Sequence, residues 1–104
     1  MKQTQILKGV LQAAVLSVIK KKKVYGYELV TSLQEEGLEV VGGTVYPLLQ
    51  RLENQGMIVG EMVSSPDGPD RKYFSITDIG LDYLEDFSRE WANIQEIMDR
   101  MLGE

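Results

Sequence analysis

Apolar residues near the start of the chain recur at intervals of three and four, which is the pattern of an amphipathic helix. The first stretch predicts a helix over residues 6–20, whose apolar positions are Leu7, Val10, Leu11, Ala14, Val15, Val18 and Ile19. The same spacing predicts a second helix over residues 25–36, which Gly37 would end because glycine tolerates the left-handed backbone that closes a helix. The chain therefore opens with two helices that each have one face to bury.

A third helix is predicted to begin near Gly43 or Thr44 and to end at Asn54. Pro47 is expected in its first turn, where the missing N–H group costs no helical hydrogen bond. The inward face is predicted at positions i, i+3, i+4 and i+7, namely Val45, Leu48, Leu49 and Leu52. The outward face is mostly polar and contains Thr44, Tyr46, Pro47, Gln50, Arg51 and Asn54.

Two β-prone segments, residues 57–64 and 71–76, flank a turn rich in proline, glycine and aspartate and predict a hairpin. Thr77 can then cap a final helix that runs to about Leu102. This order of elements predicts a mainly α (α+β) fold, a winged helix-turn-helix with a long C-terminal helix. Residues 1–76 would form the winged DNA-binding domain and residues 77–104 a dimerisation helix, together one compact unit.

The absence of cysteine and histidine narrows the chemistry of the chain. Disulfides, thiolate nucleophiles and thiolate metal sites are excluded, and so are the commonest general base and transition-metal ligand. Carboxylate pairs such as Asp78 and Asp82 lie on an acidic helix without a neighbouring nucleophile, so a solvated face is the better interpretation. We expect no catalytic residue, no metal and no cofactor, and the chain is not predicted to be an enzyme.

No apolar stretch reaches the roughly 18 to 20 residues that span a bilayer, and the start of the chain lacks the features of a signal peptide. We therefore expect a cytoplasmic protein without a membrane partner. The net charge of −5 at first argues against nucleic acid as a partner. However, residues 1–72 contain nine Lys and Arg against eight Asp and Glu, whereas residues 73–104 contain two against eight. This asymmetry is compatible with one side that faces DNA and one that faces away.

The outward face of the third helix is the first candidate for DNA recognition, because this helix usually enters the major groove in the predicted fold. Gln50 and Arg51 could bind base edges or phosphates, while Thr44 and the Tyr46 hydroxyl could reach the backbone. An ordinary solvated helix face is the alternative. The cations that follow the hairpin turn, Arg71 and Lys72, could lie along a phosphate backbone or could simply protect an edge strand. The lysines at 20–23 are equally open between DNA contact and a solvated helix end.

The last helix carries apolar residues at spacings of three and four, namely Leu84, Phe87, Trp91, Ile94, Met98 and Met101. This heptad pattern favours burial against a second copy of the chain, although the stripe could instead pack on its own core. Trp91 has two interpretations: structural packing, or an aromatic slot at a symmetric interface where a flat ligand could stack. Phe87 and Met98 would make such a slot adaptable.

Three motifs resemble the PadR family of transcriptional regulators: Tyr-Gly-Tyr at 25–27, Thr-Val-Tyr-Pro-Leu-Leu-Gln-Arg-Leu at 44–52, and Arg-Lys-Tyr at 71–73. The resemblance implies a homodimeric repressor that binds an inverted-repeat operator and dimerises through its C-terminal helix, often with the first helix of the partner. It also implies the compact subgroup of the family, whose members have a single C-terminal helix. In that subgroup a tryptophan in the middle of the last helix can line a drug-binding pore at the dimer centre, as in multidrug sensing. Asp67 and Asp70 depart from this pattern because they weaken the positive charge of the wing.

The sequence therefore predicts a homodimeric repressor of a palindromic DNA operator, with release by a flat hydrophobic effector as a further hypothesis. The residues assigned to DNA are Tyr27, Thr44, Tyr46, Gln50, Arg51, Arg71 and Lys72. The resemblance alone implies the assignment of Tyr27. Those assigned to the dimer interface or a ligand are Phe87, Trp91, Ile94 and Met98. The alternative is a winged-helix module that binds another protein and no specific DNA sequence.

Overall fold

The computed structural model describes residues 1–103 as helices around a small antiparallel sheet. In chain order its elements are α1 (Gln3–Leu7), α2 (Leu11–Lys21), β1 (Val24–Tyr25), α3 (Gly26–Glu35), α4 (Gly42–Asn54), β2 (Ile58–Val63), β3 (Arg71–Ile76) and α5 (Asp78–Gly103). The predicted mainly α winged fold with a long C-terminal helix is confirmed. Glu104, the last residue of the predicted dimerisation segment, lies outside the described residues.

The prediction of a single helix over residues 6–20 is wrong, because the chain turns after Leu7 and forms two helices, α1 and α2. Gly9 lies in this turn, where its low helix propensity favours a break. The side chain of Gln3 also ties α1 to the loop after α3, since its Oε1 accepts a hydrogen bond from the Glu39 N–H at 2.8 Å. The break costs little apolar burial, because Leu7 and Leu11 both remain in the core.

The sheet contains a strand that the sequence pattern did not reveal. The predicted hairpin is confirmed as β2 and β3, and β1 pairs antiparallel with β3, so the strand order is β1-β3-β2. Tyr25 ends this strand and also precedes α3, where its N–H donates to the carboxylate of Glu28 at 3.3 Å. The second predicted helix is otherwise confirmed to within one residue at each end, and Gly37 after it has a positive φ of 102°.

Helix α4 has the predicted inward face, since Val45, Leu48, Leu49 and Leu52 are all buried. It begins at Gly42, so Pro47 lies in the second turn, and the prediction that it occupies the first turn is wrong. A proline there leaves the carbonyl of Gly43 without its helical donor. Gly43 and Pro47 are both exposed, so water can bind this carbonyl and the cost is small.

Helix α5 starts on the turn between α4 and β2. Thr77 caps it as predicted: its hydroxyl accepts from the Gly80 N–H at 3.2 Å and donates to the Gly56 carbonyl at 2.6 Å. The start of α5 packs on α2 and buries Leu84 in the core, whereas its later turns extend beyond the other helices and the sheet. No helix within residues 1–103 combines the length and apolarity that crossing a bilayer requires.

Candidate nucleic-acid interface

One flank of α4, the first turn of α3 and the start of β3 in the β2–β3 hairpin, the wing, meet at an open cleft of about 360 Å³. Its lining residues are Tyr25, Gly26, Tyr27, Tyr46, Leu49, Gln50, Glu53, Arg71, Lys72 and Phe74. The structure therefore brings together five of the side chains that the sequence singles out for DNA, namely Tyr27, Tyr46, Gln50, Arg71 and Lys72. Gln50 is additionally oriented along the helix, because its amide donates to Asn54 Oδ1 at 3.2 Å.

Two glycines hold the ring of Tyr46 at the centre of this cleft. A Cβ atom on Gly26 would lie 2.6 Å from one edge of the ring, and a Cβ atom on Gly42 would lie 2.7 Å from the other. Each glycine is the first residue of its helix, so the two helix starts approach each other around the tyrosine. The sequence marks Gly26 only as a weak point in a helix, whereas the structure shows that its missing side chain makes room for Tyr46.

The wing cations have fixed partners on the protein. The guanidinium of Arg71 lies 4.5 Å from the ring centroid of Tyr25, and that ring packs edge-on against Tyr73. Lys72 forms an ion pair with Glu53 of α4, with 2.8 Å between Nζ and Oε1. Sequence reasoning missed Glu53, since nothing in the local pattern shows that a carboxylate of α4 reaches the wing.

Thr44 and Arg51 lie on the opposite flank of α4, away from the wing. They line a second cleft of about 460 Å³ whose other walls come from the start of the chain, from the loop before α4 and from Tyr83 of α5. Lys8 lines the same cleft and adds a second cation beside Arg51. The exposed side of α4 therefore carries polar groups on both flanks, with Tyr46 and Gln50 towards the wing and Arg51 towards α2.

The remaining charged groups do not build a second site among the described residues. Lys21 and Lys22 line a separate cleft together with Glu35 and Glu36, which is consistent with a solvated, partly balanced helix end. Within residues 1–103 no group of three or more acidic side chains, histidines or cysteines is arranged to hold a metal ion.

The apolar stripe of α5 divides into a covered and an open part. Leu84 is buried and Phe87 packs partly against the core of its own chain, as in the alternative weighed for this stripe. Further along, Trp91, Ile94 and Met98 are 43%, 50% and 41% exposed. The ring of Trp91 stacks on Phe87 with 6.1 Å between centroids, beside an apolar groove of about 280 Å³ against α1 and α2.

Helices α2, α3 and α4, a short sheet with a two-stranded wing, and a polar face of α4 beside that wing define a winged helix-turn-helix protein. The chain belongs to the transcriptional regulator PadR-like family, whose sequence profile matches residues 15–86. It is therefore a transcriptional regulator of this family.

Solved structures of similar proteins agree with this assignment. A PadR-like transcriptional regulator from Bacillus cereus is 42% identical, with a TM-score of 0.88, over 96% of this chain and 98% of the other. A Streptococcus transcriptional regulator is 44% identical, with a TM-score of 0.84, over 97% and 98% of the two chains. Bacillus subtilis PadR, solved in complex with operator DNA, is 25% identical with a TM-score of 0.70 and is matched over 75% of this chain and 46% of its own.

Proposed function

We propose that the chain is a repressor that binds an inverted-repeat operator as a homodimer, with α4 in the major groove and the wing along the flanking backbone. The observation that carries this proposal is the cleft where Tyr46 and Gln50 of α4 meet Arg71 and Lys72 of the wing. Similarity to a PadR protein solved with operator DNA supports it. In this proposal residues 1–76 bind DNA and residues 77–104 dimerise.

The two flanks of α4 have different proposed roles. Tyr46 and Gln50 project beside the wing, so we assign them, with Tyr27, to the groove edge where the wing meets the backbone. Arg51 and Thr44 project on the other flank, where a guanidinium can bind a guanine edge or a phosphate and a hydroxyl can bind a phosphate. A helix in the major groove contacts both of its walls, which is why both flanks are needed.

The exposed stripe on α5 supports the homodimer. Trp91, Ile94 and Met98 form a row of large apolar side chains that the rest of residues 1–103 leaves about half exposed. A continuous exposed apolar surface of this kind is typical of a protein interface. Two-fold symmetry through α5 would present two copies of α4 to adjacent half-sites, which is what an inverted repeat requires.

The experiment that tests the function is selection of bound sequences from a random duplex pool, followed by titration of the enriched duplex at two salt concentrations. We expect an inverted repeat whose affinity falls steeply as salt rises, because phosphate contacts release counterions. Recovery of unselected sequences only, with no duplex binding at low salt, would favour the alternative of a protein-interaction module. The acidic net charge of −5 is the observation behind that alternative.

Replacing Arg51 with alanine is expected to weaken operator binding by about 1–3 kcal/mol, or roughly 5- to 150-fold, because a base or phosphate partner loses its guanidinium. The matched control is Arg89→Ala on α5, which removes the same charge from a side chain that pairs with Glu85 and Asp86. Fluorescence anisotropy with a labelled operator measures both. Equal affinities of the two variants would contradict the assignment of α4 to the groove.

We also propose that a flat hydrophobic effector stacks on Trp91 at the dimer interface and releases the operator. Trp91 is the single tryptophan of the chain, so its fluorescence reports on that position alone. A flat aromatic dye is expected to quench it, and Trp91→Ala is expected to weaken binding at least about tenfold when dye anisotropy is the readout. Trp91→Phe, which keeps a flat ring, should retain most of the affinity. Undiminished dye binding by Trp91→Ala would move the site elsewhere.

A further inference from the structure

A carboxylate lies inside the surface that faces DNA in the proposed function. Glu53 projects from α4 into the same cleft as Tyr46, Gln50 and Arg71, and only 24% of its side chain is exposed. A negative charge near phosphates opposes binding to any duplex. Its presence in this cleft therefore needs a role that compensates for the repulsion.

Both oxygens of this carboxylate are used, and they join three elements. Oε1 accepts a hydrogen bond from Lys72 Nζ of β3 at 2.8 Å, and Oε2 accepts from the backbone N–H of Gly60 in β2 at 3.2 Å. Strand β2 lies at the edge of the sheet, so its outward N–H groups are open to such a partner. Glu53 thereby connects the helix proposed for the major groove to both strands of the wing.

The glycine at position 60 leaves room for the ends of the Lys72 and Glu53 side chains to lie close to the β2 backbone. A Cβ atom on Gly60 would lie 2.2 Å from Lys72 Cε and 2.9 Å from Glu53 Oε2. A glycine in a strand interior weakens the strand, so its presence here marks a close approach of side chains to the backbone. A side chain at position 60 would therefore displace the flexible ends of Lys72 and Glu53 from their present positions.

The pair also changes how much charge the wing offers to DNA. Each lysine that binds a phosphate adds about 0.9 to the slope of log affinity against log salt, and it does so for every sequence. Lys72 in its pair with Glu53 has its charge balanced before DNA arrives. A lysine held in this way would contribute less to the part of binding that carries no sequence information.

We propose that Glu53 is a specificity-determining residue: by holding Lys72 and the β2 backbone against α4, it lowers affinity for unrelated DNA relative to the operator. This inference rests on the proposed DNA-binding function. It assigns to the ion pair a role in distinguishing the operator from unrelated DNA. A partly exposed ion pair ordinarily contributes only a little to the stability of the fold.

The test is Glu53→Gln, which keeps an oxygen that can accept from the Gly60 N–H and removes the charge that balances Lys72. At about 0.1 M salt, one more phosphate contact corresponds to roughly eightfold tighter binding of unrelated duplex and a salt slope steeper by about 0.9. The operator should gain less, so the ratio of operator to unrelated affinity falls. The double variant Glu53→Gln with Lys72→Gln should return the slope to the wild-type value.

The matched control is Glu61→Gln, which makes the same charge change on an exposed residue of β2 outside the ion pair. It should leave the salt slope within about 0.3 of the wild-type value. A wild-type slope and an undiminished affinity ratio in Glu53→Gln would overturn the role of Glu53 while leaving the proposed function intact. Absence of all duplex binding by the wild-type protein would instead refute the proposed function, and this inference with it.

Discussion

Replacing Ile94 with aspartate is expected to separate the dimer into monomers and to weaken operator binding at least about a hundredfold. Ile94 is half exposed in the single chain and lies in the middle of the open stripe on α5. A buried isoleucine contributes roughly 1.5–3 kcal/mol, and a two-fold interface loses it twice. Two unpaired carboxylates in an apolar interface add to this cost. Sedimentation equilibrium measures the dissociation, and operator titration measures the loss of affinity.

The control for this prediction is Ala92→Asp, which adds the same charge to the polar face of α5 beside Gln95, Glu96 and Asp99. It should remain dimeric and bind the operator within about threefold of the wild-type affinity. An Ile94→Asp variant that stays dimeric would show that the partner lies elsewhere. If it became monomeric with unchanged operator affinity, two-fold recognition of the inverted repeat would be wrong.

The helices were predictable because their signals are local. The apolar residues of α4, and Thr77 with the N–H that it caps, lie within one or two helical turns of each other. The spacing of residues along the sequence is therefore enough to predict them. The break between α1 and α2 was not predictable from periodicity. The apolar stripe continues through it, and the tether from Gln3 to Glu39 spans residues far apart in the sequence.

Strand β1 escaped prediction for a related reason. A segment of two residues is too short to show the alternation of apolar and polar positions that predicts a strand. Val24 and Tyr25 form a strand only because Phe74 and Tyr73 lie opposite them. Pairing with a distant segment decides such short strands, whereas local propensity contributes little. The strand matters for the site, because it brings Tyr25 under the guanidinium of Arg71.

The candidate site was predictable as a set of residue types and not as a geometry. Outward polar residues on α4 and cations on the wing follow from the sequence, and the family resemblance narrows them further. The division of α4 into a wing flank with Tyr46 and a distal flank with Arg51 requires the packed structure. The same is true of the glycines that contact Tyr46 and of Glu53, which act across elements.

Gly80 lies at the contact between the start of α5 and the turn that follows α4. Gly80→Ala is expected to lower the free energy of unfolding by about 2–3 kcal/mol. A Cβ atom on Gly80 would lie 2.3 Å from the Met57 carbonyl oxygen and 2.7 Å from Ile76 Cγ1. The first of these atoms belongs to the backbone, so α5 itself must move away from the end of α4. Alanine improves helix propensity by about 1 kcal/mol, which is less than the cost of this overlap. Urea denaturation followed by circular dichroism measures the change.

Gly43→Ala is the matched control, since Gly43 also lies in a helix but a Cβ atom there would meet nothing within 4 Å. This variant should be as stable as the wild-type protein or slightly more so, because only the propensity term remains. Gly80→Ala should also weaken operator binding beyond its effect on stability. The turn at Met57 joins α4 to α5, the helix proposed to dimerise and so to present two copies of α4 to the operator. Stability equal to that of Gly43→Ala would mean that α5 can shift freely on this turn, and such freedom would argue against a rigid connection between the dimer interface and α4.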